Sequence, residues 1–240
     1  MEWQWATVLG VSGAVVGSCV ALLSLRLPAG LPVGMARSRC SGCRRQLGVL
    51  ELVPLLSFAV QRGRCRSCGA AIERRYPLVE AAGAGIGVIA ALVAAAPLAA
   101  AVLGWALLLL AILDYEHQWL PSAVTLPLLA AGLLVAMWLT PALLATNAIG
   151  AAAGWASLAA VAAGYRRLRG RDGLGGGDVR LFAASGAWCG WDRLPLVLLG
   201  AALAALLVVV LVRRRVSATD RLPFGVFLAP ATWAVYLWQP

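Results

Sequence analysis

Eight runs of apolar residues, most of them long enough to cross a bilayer, leave this chain few ways to fold. They lie near 4–25, 78–95, 97–113, 122–139, 145–163, 179–191, 194–212 and 222–239. Crossing a hydrocarbon core takes about 20 mostly apolar residues in a helix. Pro77, Pro97, Pro121, Pro141, Pro195 and Pro223 mark most of the edges. Hydrophobic residues make up 62% of the 240 and charged ones only 12%, which no water-soluble domain of this size could bury. In lipid every backbone polar group must be satisfied within the fold, and at this density of apolar residues that means helices. The expected class is all-α, a polytopic membrane protein of about eight transmembrane helices. The sixth run is short and glycine-rich, compatible with a broken or re-entrant helix. The first run follows Glu2 rather than a basic start and is long enough to span, which argues against a cleaved signal peptide.

The formal charge of +10 comes from arginine alone, with no lysine in the chain. Ten arginines fall between Arg26 and Arg75, four between Arg166 and Arg171, and four between Arg213 and Arg221. They occupy connecting segments, as the positive-inside rule requires of cytosolic loops. Placing the loop at 26–77 in the cytosol and alternating sides brings 164–178 and 213–221 inside as well. Only Arg193 is then left outside. This distribution points to lipid headgroups rather than nucleic acid as the partner of the basic charge. It also predicts a division into a first transmembrane helix (1–25), a cytosolic four-cysteine loop (26–77) and a membrane-embedded core (78–240).

That loop holds two knuckles, Cys40-Ser-Gly-Cys43 and Cys65-Arg-Ser-Cys68. Two residues between sulfurs let both thiolates of a knuckle reach one ion, and two knuckles complete a tetrahedral four-sulfur site. The alternative is a pair of disulfides, which a reducing cytosolic location disfavours. The expectation is a small zinc-ribbon-like loop around one zinc. Four cysteines leave no open position for water, so this zinc is structural rather than catalytic. Cys19 and Cys189 sit inside spans and read as packing residues.

Of ten acidic residues, Glu51, Glu73, Asp192 and Asp220 read as solvated loop charges. Glu80, Asp114, Glu116 and Asp178 instead stand at the ends of apolar spans, where ionisable groups are costly and so suggest function. The arginine-derived topology puts Asp114 and Asp178 at the cytosolic ends of their spans, at matching depth. Two carboxylates within hydrogen-bonding distance share one proton. One can then deprotonate a water while the other protonates a peptide carbonyl. Asp178 ends the run Gly173-Leu174-Gly175-Gly176-Gly177-Asp178. Gly175 and Gly177 would give that run a flexible hinge and let a substrate strand approach. The plainer reading of Asp178 is a helix cap after a glycine loop.

These features occur in a recognisable order. Gly17-Ser18-Cys19 through Arg26-Leu27-Pro28 comes first, then the two knuckles, then Arg74-Arg75-Tyr76-Pro77-Leu78-Val79-Glu80. Leu113-Asp114 before Leu120-Pro121, Gly175-Gly176-Gly177-Asp178 and Leu222-Pro223-Phe224-Gly225 follow. The ordered set resembles the bacterial type IV prepilin peptidases, the GxGD membrane aspartyl proteases that also process type II secretion pseudopilins. The resemblance implies cleavage, after a glycine, of a basic leader peptide at the cytosolic face of the bacterial inner membrane. Asp114 and Asp178 would be the catalytic pair. It also implies N-methylation of the new N-terminus with S-adenosylmethionine as methyl donor. No residue of the sequence spells out a methyl-donor site, and Glu80 and Glu116 are the candidates for a substrate or methyltransfer role. Two positions depart from the family pattern: Arg180 stands where a lysine is usual, and Ser122 where an acid often follows Leu-Pro. Two readings from other classes compete. A zinc-ribbon-bearing, proton-coupled transporter would want its acids nearer the bilayer midplane. A non-enzymatic assembly factor would tolerate asparagine in place of both aspartates.

Overall fold

The computed structural model describes residues 2–32, 38–170, 173–213 and 223–239. Arg37, Arg171, Arg214, Arg215 and Arg221 of the predicted cytosolic loops lie outside the described residues, as do Asp220 and Leu222. The chain divides into two compact units, Met1–Trp105 and Ala106–Pro240.

The first unit contains α1 (Glu2–Arg26), the short α2 (Leu56–Val60), α3 (Arg75–Val93) and the first part of α4 (Pro97–His117). α1 and α3 pack backbone against backbone through glycines. A Cβ added to Gly13 would lie 2.2 Å from the Gly83 carbonyl oxygen, and one on Gly87 would lie 2.0 Å from that of Leu9. In lipid the hydrophobic effect does not drive helices together, so such close approach supplies the attraction as dispersion. The indole N–H of Trp105 donates to the Gly83 carbonyl at 2.9 Å, and Arg75 donates to the Ser24 hydroxyl.

The second unit holds the rest of α4, then α5 (Ser122–Leu139), α6 (Leu144–Arg169), α7 (Gly176–Cys189), α8 (Leu194–Val208) and α9 (Gly225–Leu237). Helix α7 is buried at Val179 and continuously from Leu181 to Cys189. α6 reaches it through small residues: a Cβ on Gly186 would fall 2.1 Å from the Gly150 carbonyl oxygen, and one on Gly154 2.6 Å from that of Phe182. On another face Trp188 lies over Gly132 of α5 and donates to the Leu128 carbonyl at 2.8 Å. Ser185 and Thr232 share a hydrogen bond of 2.7 Å between α7 and α9. Cys189 is buried there against the Thr232 carbonyl, the packing role its sequence context suggests. The short, glycine-rich sixth run is therefore an ordinary helix surrounded by protein. Its small and polar residues suit helix contacts and need not face lipid.

All eight apolar runs coincide with helices, and no strand occurs among the described residues. Six of the described helices are long and apolar enough to cross a membrane: α1, α3, α4, α5, α6 with its lead-in from Pro141, and α8 with its extension to Leu211. α7 and α9, at 14 and 13 residues, are shorter than a full crossing.

Candidate functional site

The cysteine loop folds as two copies of one small device. In each, the first cysteine's N–H donates to the carbonyl five residues on, Cys40 to Arg45 at 2.9 Å and Cys65 to Ala70 at 2.8 Å. The fifth residue turns back, with Arg44 N–H donating to Cys40 and Gly69 N–H to Cys65. Single antiparallel bridges close the two turns, Arg39 with Gln46 and Arg64 with Ala71. The turn needs a left-handed residue, which is Gly69 (φ 71°) in one copy and Arg44 (φ 57°) in the other. The devices face each other so that all four sulfurs lie within 4.8 Å of one another. Cys40 Sγ and Cys68 Sγ are 3.8 Å apart. That is far beyond a disulfide bond. It is close to the edge, about 3.8 Å, of a tetrahedron of sulfurs each about 2.3 Å from a central ion. Amides of Cys68 and Ser67 pointing at the Cys65 sulfur hold its thiol down at about 6, and those of Cys43 and Gly42 lower Cys40 likewise. Such donors favour the thiolate form that binds metal. Glu51, accepting from Arg45 at 2.6 Å and from the Gly48 N–H at 2.9 Å, ties the loop beside the first knuckle.

The second unit brings Asp114 and Asp178 together. Asp114 sits in the last turns of α4, only 5% exposed, and its Oδ2 accepts from the Val226 N–H at 3.1 Å. The carboxylate thus rests on the N-terminus of α9, where unsatisfied amides and the helix dipole favour negative charge. Asp178 lies in the first turn of α7, and Asp114 is close enough for its charge to act on it. The Gly225 amide is directed at both carboxylates. Asp178 folds back toward the Gly175 amide, while its Oδ1 is buried without a hydrogen-bond partner among the described residues.

The glycines of the Asp178 loop act by being small. Gly175 has φ −71°, and neither it nor Gly177 takes a positive φ. A Cβ on Gly177 would lie 2.7 Å from Leu120 Cβ, so this glycine lets α7 close on the turn that follows Asp114. Arg180 donates to the Leu120 carbonyl at 3.2 Å and fastens the same junction. A Cβ on Gly225 would fall 2.8 Å from Asp114 Oδ2. Sequence reasoning assigned no site role to Arg180, Gly225 or Val226. The hints were that Arg180 stands where the family pattern usually has a lysine and that Gly225 closes one of the quoted motifs.

The candidate glutamates stand elsewhere. Glu116, two residues beyond Asp114, is on the exposed part of α4 beside His117, 3.8 Å away. Glu80 belongs to the first unit, where it is 7% exposed and accepts from the Leu55 N–H at 2.8 Å. Cys19, read as packing, is exposed.

Two family models match the chain. One, the Bacterial Peptidase A24 N-terminal domain, covers residues 11–94, and the other, the Type IV leader peptidase family, covers residues 101–210. Among curated relatives, proteins named prepilin leader peptidase/N-methyltransferase are similar over most of the chain. The one from Burkholderia pseudomallei is 43% identical over 85% of this chain and 67% of its own length. Its counterpart from Aeromonas salmonicida is 40% identical over 84% and 71%. For Pseudomonas putida the figures are 37% over 97% and 89%. No solved structure matches the chain.

Proposed function

Since the chain belongs to the type IV leader peptidase family, we propose that it removes the basic leader peptide from type IV prepilins or type II secretion pseudopilins and N-methylates the new N-terminus. The observation that carries the protease half is the meeting of Asp114 and Asp178 at one place, with the Gly225 amide directed at both. We assign them as the catalytic pair. Asp114 Oδ2 is engaged by an α9 amide, so Asp178 Oδ1 is the oxygen left to address substrate or water. With one proton between them, one aspartate takes a proton from the attacking water while the other gives one to the scissile carbonyl. The proton taken from the water then goes to the leaving amine as the tetrahedral adduct collapses. Gly175, exposed beside Asp178, leaves room for an extended substrate backbone, while Gly177 keeps the junction with Leu120 closed and any hinge motion is centred on this pair.

The four-sulfur cluster is assigned to zinc in a structural role, since four thiolates fill a tetrahedral shell. S-adenosylmethionine is the methyl donor that a methyltransferase of this family would use. By the arginine distribution the enzyme is a multi-pass protein of the bacterial cytoplasmic membrane. Its aspartates and zinc loop face the cytosol, and loops rich in arginine lie against lipid headgroups. In this assignment 1–25 anchors the chain, 26–77 holds zinc, and 78–240 contains the protease pair. The transporter alternative lapses with family membership, because both matching models are peptidase models.

The test is direct. Purified protein in detergent micelles is incubated with a synthetic prepilin peptide spanning the leader junction, with and without S-adenosylmethionine, and the products are weighed by mass spectrometry. The expected products are a cut after glycine in both cases and an added methyl group only with donor. Intact peptide after incubation with folded, zinc-loaded protein contradicts the assignment.

A further inference from the structure

Leader cleavage leaves one feature of the first unit without a role. A cavity of about 630 Å³ opens between α1, the cysteine loop and the start of α3. That volume is typical of small-molecule sites. Its wall includes the aromatic rings of Phe58 and Tyr76, the polar groups of Ser18, Ser57 and Gln61, and the carboxylate of Glu80, while Arg26 and Arg39 on the same wall suit a ligand that carries a carboxylate of its own. Glu51 also lines it, but Arg45 compensates that charge. Glu80 is 7% exposed, and among the described residues no arginine pairs with it. A buried carboxylate is stabilised by a cation held directly against it, and a cationic ligand entering the cavity can take that place. The wall therefore suits a ligand with a flat heterocycle, hydrogen-bonding groups and a positive centre, which aromatic faces also attract.

We infer that this cavity is the methyl-donor site, holding S-adenosylmethionine with its cationic sulfur beside Glu80. The inference rests on the methyltransferase half of the proposed function and is independent of the aspartate pair. The donor supplies an electrophilic methyl group. The lone pair of the pilin's new N-terminal amine forms the N–C bond as the S–C bond breaks. The bonding pair returns to sulfur, which becomes neutral, and the surplus proton of the amine goes to water. Cys40 and Cys65 belong to the same wall. The ion held by the knuckles would thus fix the shape of the donor site, a reason for a metal loop in an enzyme whose protease residues lie elsewhere in the chain.

The experiment is calorimetric titration of the full, zinc-loaded chain in micelles with S-adenosylmethionine and, separately, with S-adenosylhomocysteine, which lacks the sulfonium charge. Glu80→Gln keeps an oxygen to accept the Leu55 N–H and removes only the negative charge. It should weaken S-adenosylmethionine about tenfold, roughly 1.4 kcal/mol, and change S-adenosylhomocysteine much less. Ser57→Trp, which fills the cavity, should remove binding of both. Equal weakening of the two ligands by Glu80→Gln refutes the sulfonium placement. Unchanged affinity in both variants, or a protein that methylates prepilin with no measurable donor binding, refutes the site while leaving the proposed function standing. A folded preparation that neither cleaves nor methylates prepilin refutes both.

Discussion

Gly225→Ala is the smallest change that tests how Asp114 is held. The added Cβ would lie 2.8 Å from Asp114 Oδ2, 3.1 Å from Cγ and 3.0 Å from Leu120 Cδ1. Ordinary contact begins near 3.4 Å, so the carboxylate must retreat by roughly 0.6 Å. The Val226 N–H···Oδ2 bond is already 3.1 Å long, and such a retreat along it passes the limit of hydrogen bonding. Losing a hydrogen bond to a charged group costs about 1.5–3 kcal/mol, or about 10- to 150-fold in rate if the bond is needed in the transition state. Initial rates of prepilin cleavage, with thermal melting on the same samples, measure this. Gly200→Ala is the matched control, since its Cβ would meet only Ala231 Cβ at 3.6 Å. It should keep native turnover. Near-native cleavage by well-folded Gly225→Ala would refute the idea that the α9 N-terminus positions Asp114.

Three further outcomes are expected. Cys65→Ser should lower elemental zinc from about one ion per chain toward none and impair methylation before cleavage, as metal analysis with separate product assays would show. Arg44→Gly, at φ 57°, should raise the melting temperature of the cysteine loop by relieving about 1 kcal/mol of left-handed strain, whereas Gly69→Ala at φ 71° should lower it comparably. Arg180→Lys should keep most activity because an ammonium can still donate to the Leu120 carbonyl, while Arg180→Met should lose several-fold in kcat/KM with little change in melting temperature.

Much of this was legible because the physics behind it is local. Prolines at span edges mark helix boundaries, two-residue gaps between cysteines favour a shared metal site, and acids at span ends stand out because burying a charge is costly, although Glu116 proves exposed. Other features come from pairs of backbones meeting far apart in sequence. The two knuckles are one device used twice, yet their residues share little beyond the cysteines and turn position, since backbone hydrogen bonds rather than side chains define the device. The need for a glycine at 225 arises from a carboxylate more than a hundred residues earlier. Gly175 and Gly177 suggested unusual dihedrals, whereas the backbone there is ordinary and what matters is clearance, from Leu120 at Gly177 and from the Asp178 carboxylate at Gly175. A short helix such as α7 hides its depth of burial from any hydropathy reading, because residues facing other helices need not be strongly apolar. The cavity has no sequence signature, because its wall draws on three separate stretches of chain.

The central claim is that Asp114 and Asp178 act as one proton-sharing pair. Its most direct measurement is single-turnover cleavage of a prepilin peptide by purified Asp114→Asn, Asp178→Asn and the double variant. Asparagine keeps the shape of each side chain but cannot cycle a proton, and groups acting as a unit lose activity non-additively. Each single variant should therefore be slowed by orders of magnitude, with the double variant little worse than either, while zinc content and melting temperature stay native. Cleavage near the native rate by either single variant would contradict the account.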